Sequence, residues 1–183
     1  MQLFESSLWL KSSALLRYLI LRLFFRRIRI SKISYIGKRA KLFAKPGSVI
    51  LVKGRIHIRN DVELQSKGEL IIGHGCGINS FSRIIAFERI EIGNNVSIAQ
   101  FVSILDHDHN YKVEDGKIDF TKFTTDPVEI GNNVWIGDKV TITKGVRIGD
   151  NVVIGANSVV TGSIPANSVA VGIPAKVIRQ ITI

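Results

Sequence analysis

The chain has 183 residues, 45% hydrophobic and 22% charged, which is enough apolar material for one continuous core and too little length to require a second globular domain. Its single cysteine, Cys76, excludes an internal disulfide and a Cys-rich metal cluster, fits a reducing compartment, and reads as a small core residue. The net charge of +10 is uneven, because residues 1–60 hold fourteen Lys and Arg against one acid whereas residues 61–183 hold eleven against fourteen. Nucleic acid is the first partner such a charge suggests, but no recognition motif accompanies it and the aromatics do not interleave with the basic residues as a stacking platform would, so no nucleic-acid partner is expected.

Residues 1–34 form the first predicted element. The stretch LWLKSSALLRYLILRLFFRRIRISK has the look of a signal peptide or a membrane span. Arg17 and Arg22 cut its apolar run well short of the ~20 residues a span needs, and no small-residue cleavage site follows. The reading is a basic amphipathic helix, with Trp9, Leu10, Leu15, Leu16, Leu19, Leu23, Phe24 and Phe25 available for an apolar stripe. Such a helix lies in the interface of an anionic membrane, or it packs on its own domain or a neighbouring subunit; periodicity does not tell lipid from protein as the apolar partner.

Residues 35–183 form the second unit. Ile130, Ile136, Ile142, Ile148, Ile154 and Val160 recur every sixth residue, and Gly131, Gly137, Gly149 and Gly155 follow four of them. An earlier block repeats the spacing at Ile72, Ile78, Ile84 and Ile90, then slips by two to Ile92, Ile98 and Ile104, after a weaker start at Ile58, Leu64 and Leu70. A helix repeats its apolar positions at three and four, and an alternating strand at two, so a six-residue period belongs to neither. It predicts a solenoid of short parallel strands whose inward Ile and Val stack from coil to coil, with Gly, Asn and Asp at corners that need positive φ. Each buried Ile or Val contributes roughly 1.5–3 kcal/mol. The two-residue slips read as small insertions at corners.

The period stops at Ile104 and resumes at Ile130, so about twenty residues must leave the coil. This extended loop, 105–128, begins with ILDHDHNY, which holds His107 and His109 beside Asp106 and Asp108. Histidine titrates near neutrality and suits proton transfer from a hydroxyl. The two aspartates read as turn formers, beyond a part in orienting a His. A metal is not expected, since DHDH lacks a distant third ligand.

The segments IGNNVSIAQFVSIL and IGNNVWIGDKVTITKGVRIGDNVVIGANSVVTGSIPANSVAVGIPAKVIR resemble the hexapeptide-repeat acyltransferases, and the tail VVTGSIPANSVAVGIPAKVIR resembles their galactoside and maltose O-acetyltransferase branch. The resemblance implies an all-β fold, a left-handed parallel β-helix, with acetyl-CoA as cosubstrate and a sugar hydroxyl as acceptor. It further implies a homotrimer with active sites in clefts between adjacent subunits. A gap-free count from IGNNV puts His109 at the family's general-base position, with His107 in reserve. Asn79 in CGINSF matches an asparagine that holds the tetrahedral intermediate. Trp135 matches a tryptophan near the active site, with packing as its other reading. On the donor side Gly137, Ala156 and Ser158 match the small residues that admit the pantetheine arm, and Thr161 falls on the same flank. Lys176 and Arg179, in the short C-terminal segment 172–183, would meet the coenzyme A phosphates. Asp138 departs from the serine common at its position, which puts that donor contact in doubt.

The expected function is O-acetylation in bacterial surface polysaccharide or lipopolysaccharide biosynthesis, in the cytoplasm or peripherally on the inner face of its membrane, because the basic helix departs from the start of soluble sugar acetyltransferases. N-acetylation of an amino sugar and a noncatalytic β-helix scaffold are the alternatives on the same fold.

Overall fold

The computed structural model describes residues 8–182, and side chains from Ser12 to Thr182 apart from Glu114. The side chains of Trp9 and Leu10 therefore lie outside the described residues. From Ile28 onward the chain winds as a parallel β-solenoid with three faces. Sheet A stacks Ile28–Ile30, Val49–Val52, Glu69–Ile72, Arg89–Ile92, Val128–Ile130 and Arg147–Ile148. Sheet B begins at Tyr35–Ile36 and runs through Cys76–Ile78, Ser97–Ile98 and Trp135–Ile136 to Val152–Ile154 and Ser168–Gly172. Sheet C carries Lys41–Ala44, Glu63–Ser66, Arg83–Ala86, Ser103–Leu105, Thr141–Ile142 and Val159–Val160. The predicted stacking is present, since Ile92 pairs with Ile130 and Ile130 with Ile148, all of them buried. The first rung, Ile28–Ile30, pairs with Ile50–Val52 and so lies inside the segment assigned above to the N-terminal helix.

The two-residue slips have a different origin from the corner insertions expected. Late coils hold eighteen residues (Ile130 to Ile148) and earlier ones twenty (Leu70 to Ile90), after a first coil of twenty-two (Ile28 to Ile50). The difference sits in sheet C, where Glu63–Ser66 and Arg83–Ala86 are four residues long and Thr141–Ile142 only two. The longer strands add one inward position per coil, filled by Ser66, Ala86 and then Asp106, all buried.

Corners between sheets A and B are set by asparagines. Asn95, Asn133, Asn151 and Asn167 each have φ of 56°, a left-handed conformation that asparagine tolerates. Their amides bond coil to coil, Asn95 to Asn133 at 3.2 Å, Asn133 to Asn151 at 3.1 Å and Asn151 to Asn167 at 2.9 Å. Cys76 is buried, as a small core residue should be, and burial pushes its thiol pKa up.

The interruption is an antiparallel ribbon rather than an irregular loop. His107–Glu114 pairs with Lys117–Thr125, and Asp115 and Gly116 turn it with φ of 51° and 71°. Two successive positive φ values are those of the tight hairpin turn that Asp-Gly favours. Ile90 pairs with Val128, so this coil holds 38 residues against 20 in the one before, and the ribbon accounts for the 18 extra. The chain closes beneath it through Asp126 N–H donating to Asp106 O at 2.9 Å. At one end of the solenoid lies the helix Leu8–Phe24, and at the other Ala175–Gln180 folds back antiparallel on Ser168–Gly172.

Candidate active site

Twenty-residue coils bring positions twenty apart into columns. Lys67, Phe87 and His107 form one such column at the edge where sheet C passes to sheet A. The imidazole of His107 stacks on Phe87 with centroids 3.5 Å apart and planes 9° apart. Lys67 Nζ stands 3.2 Å from the centroid of the same Phe87 ring. Partial burial holds the Lys67 ammonium below its ordinary pKa, and the neighbouring Lys45 adds to the effect. Phe123, on the returning strand of the ribbon, sits edge-on to His107 at 5.9 Å and tilted against His109 at 4.4 Å.

The inward column beside it ends in Asp106. Its carboxylate is wholly buried, with Oδ1 accepting from Phe87 N–H at 2.7 Å and Oδ2 from Glu88 and Arg89 N–H at 2.8 Å each. Three converging amides make an anion nest of the corner below. Nδ1 of His107 lies 3.2 Å from Oδ1 of Asp106. With an acceptor there, Nδ1 carries the proton and Nε2 the basic lone pair.

His109 stands two residues out on the ribbon, with Nδ1 donating to Phe120 O at 2.7 Å. Its environment is more exposed than that of His107, whose side chain is 13% accessible. In both rings an acceptor at Nδ1 leaves the lone pair on Nε2, but His107 is fixed by a buried carboxylate and a stacked phenyl, and His109 by one carbonyl on the hairpin. Phe87 and Lys67 escaped the sequence reading, although the twenty-residue spacing from each to the next and on to His107 would have found them.

The remaining candidates divide between two edges. Asn79 follows Cys76–Ile78 at the edge where sheet B passes to sheet C, half-buried, one strand of sheet C away from the His107 edge. Gly137, Ala156 and Ser158 share the Asn79 edge, in coils farther along, whereas Thr161 stands on the His107 edge and not on their flank. Within one chain, then, Asn79 and His107 are not brought together. Gly137 is buried, and a Cβ there would meet Ala156 N at 2.7 Å, so the close approach of successive coils already requires glycine. Ser158 is also buried, with its Oγ accepting from Gly172 N–H at 3.1 Å. Asp138 ties coils together by accepting from Gln100 N–H at 2.8 Å. Trp135 projects from sheet B, 57% exposed, opposite Ser97 and Val153. Lys176 and Arg179 are exposed on the terminal hairpin.

An open groove of about 940 Å³ runs along sheet A, away from the histidines. Charges along it are paired, Lys53 with Glu91 at 3.4 Å and Arg147 with Glu129 at 3.7 Å. Among the described residues no three His, Cys, Asp or Glu side chains converge as a metal site.

Residues 127–162 match the family model for bacterial transferase hexapeptide, six repeats. Over 121 residues the chain is 38% identical to a protein named for O-acetyl transfer in lipopolysaccharide biosynthesis, WbbJ of Escherichia coli (strain K12), covering 62% of each. The match thus spans somewhat less than two thirds of that relative. Among solved structures, a maltose O-acetyltransferase from Clostridium difficile 630 aligns at 31% identity and a TM-score of 0.50, over 99% of this chain and 80% of the other. A galactoside acetyltransferase in complex with coenzyme A aligns at 29% identity and 0.57, over 91% and 70%. Six-residue period, three-faced parallel coil and these likenesses agree, and the chain belongs to the hexapeptide-repeat acyltransferase family.

Proposed function

We propose that this chain is an acetyl-CoA-dependent O-acetyltransferase that acetylates a sugar hydroxyl in bacterial surface polysaccharide or lipopolysaccharide biosynthesis. The observation that carries the reading is the buried Asp106 carboxylate 3.2 Å from Nδ1 of His107, which leaves Nε2 as a fixed base. The acceptor hydroxyl gives its proton to Nε2 as its oxygen bonds to the thioester carbonyl carbon. The C–S bond then breaks, and the imidazolium returns the proton to the departing sulfur. A base so placed contributes about 10²- to 10⁴-fold in rate. The gap-free count favours His109 for this role; the carboxylate and the stacked Phe87 favour His107, with His109 lining the acceptor side of the ribbon.

The division of candidates between two edges supports a homotrimer in which the Asn79 edge of one copy faces the His107 edge of the next. Asn79 then supplies an amide N–H to the tetrahedral oxyanion, a contact worth about 2.7–4 kcal/mol in acyl transfer. Gly137, Ala156 and Trp135 border the donor path by this reading, and Lys176 and Arg179 meet the coenzyme A phosphates. The sugar acceptor and the polysaccharide setting rest on the relatives' names. A cytoplasmic location goes with the cosubstrate and with the free thiol of Cys76.

Thioester consumption with candidate sugar acceptors tests this in the wild type, His107→Ala and His109→Ala. We expect His107→Ala to lose at least about a hundredfold in kcat and His109→Ala less than about tenfold. Unchanged turnover in His107→Ala removes it as the base.

A further inference from the structure

The helix Leu8–Phe24 has two apolar faces. One is accounted for, since Ala14 and Tyr18 are buried and Leu21 packs on the same core. On that side Arg17 donates from Nε to Ile36 O at 2.7 Å, which fastens the helix to the first coil. At about 100° per residue the opposite face consists of Leu16, Leu19, Ile20 and Leu23, exposed by 58%, 42%, 42% and 70%. A helix covering a water-soluble core normally turns polar residues outward. Here Arg17 and Arg22 are the charged residues between Ser12 and Phe24, and both bend back, Arg22 donating to Tyr18 Oη at 2.9 Å.

The apolar surface continues past the helix into Phe24, Phe25 and Phe43, which with Leu42, Arg26 and Arg27 border a cavity of about 550 Å³. Arg26 and Arg27 are exposed at the cavity, and Arg29 and Lys32, a few residues on, are exposed as well. Aliphatic and phenyl groups flanked by guanidinium groups match acyl chains beneath phosphates.

We propose that this end of the solenoid docks on an anionic phospholipid bilayer, the helix lying in the interface with Leu16, Leu19, Ile20 and Leu23 among the acyl chains and the arginines at phosphate depth. Charge favours lipid over a second copy. Residues 1–60 hold fourteen basic groups against one acid, so two copies meeting here would press like charges together, whereas an anionic surface neutralises them. Length favours lying over crossing: the helix has 17 residues, about 26 Å, and no helix among the described residues is long and apolar enough to cross a membrane. The buried face rests on the first coil, so docking turns that coil toward the bilayer. On the acetyltransferase reading, a lipid-linked glycan would meet His107 three strand spacings of sheet C, about 14 Å, above the first coil.

Flotation of the full chain with vesicles of phosphatidylcholine, alone or mixed with phosphatidylglycerol, tests the proposal. Binding to the mixed vesicles, released by salt, is expected. Leu16→Asp combined with Leu23→Asp should weaken it at least about tenfold with the unfolding midpoint unchanged, since both side chains face outward. Arg26→Gln combined with Arg27→Gln probes the same face without touching the apolar residues, and should weaken binding about fivefold for each charge removed. A chain that stays unbound with phosphatidylglycerol, or binds equally well in both variants, overturns the proposal. So does a Leu variant that changes sedimentation as an oligomer while no vesicle binding exists, which gives the face to a second copy. Thermal stabilisation by coenzyme A, measured on the same proteins, reports separately on the acetyltransferase reading.

Discussion

Asp106 and His107 are chain neighbours on opposite sides of the solenoid wall: the carboxylate is wholly buried on three backbone amides, while the imidazole 3.2 Å away reaches the surface. One residue thus seals the corner and orients the next. In the two coils below, Ser66 and Ala86 occupy the same inward position, so the buried acid is peculiar to the coil that emits the ribbon.

Asp106→Asn should separate these roles from mere volume. Both carboxylate oxygens accept from N–H groups, and an amide turned either way presents its NH₂ to at least one of them. We expect a loss of about 2 kcal/mol in chemical denaturation, at about 1 kcal/mol or more per orphaned donor. Turnover should fall in parallel, because the tautomer of His107 is no longer fixed.

Deleting residues 108–125 removes the 18 residues that distinguish this coil from a twenty-residue one and joins His107 to Asp126. The solenoid should fold, because each coil's core is made with its neighbours and the ribbon's side chains are mostly exposed. Circular dichroism should retain its β signal and the midpoint should move by only a few degrees. On the proposed function, thioester turnover with a sugar acceptor should fall, because Phe123 and the acceptor side of the ribbon are gone.

Gly137→Ala distinguishes coil packing from space for a ligand. Its Cβ would fall 2.7 Å from Ala156 N, a backbone atom that has little freedom to move. The variant should lose about 1–3 kcal/mol of stability in the absence of any coenzyme. A protein as stable as wild type that binds coenzyme A more weakly would instead assign the glycine to the donor site.

His57 predicts a pH dependence of stability. Its ring lies against Tyr35 at 4.4 Å, and Nε2 is buried without a hydrogen-bond partner. Burial first, and the charge of Arg59 second, hold its pKa below the ordinary value. The unfolded chain therefore takes up a proton near pH 6.5 that the folded chain refuses until lower pH. This contribution is full above about pH 6.5 and declines as pH falls through that value toward the lower folded pKa. His57→Phe, which keeps a ring beside Tyr35, should flatten the melting temperature between about pH 7 and pH 5.

Much of this molecule was legible before folding. A six-residue recurrence of Ile and Val fixes the coil, because inward side chains pack on the equivalent residues of the next coil, and positive φ at the corners between sheets A and B selects Asn and Gly. The interruption at Ile104 announced a departure of about the right length. Its form is written there too, since Asp115-Gly116 between runs rich in β-forming residues is a hairpin signal. The two-residue slips concealed a longer sheet C, because periodicity counts residues and does not say which face of the coil receives them.

What the tertiary structure alone decided is which groups meet. His107 and His109 are equivalent in composition and context, and only the stacking of twenty-residue coils sets Lys67, Phe87 and His107 in one column with Asp106 buried beside them. Likewise the apolar stripe and arginines of the helix were visible, but not that Arg17 and Arg22 bond back to Ile36 and Tyr18 while Leu16, Leu19 and Leu23 face out. Local sequence determines which residues repeat; the direction of each side chain depends on the neighbour it packs against, and that neighbour lies a full coil away.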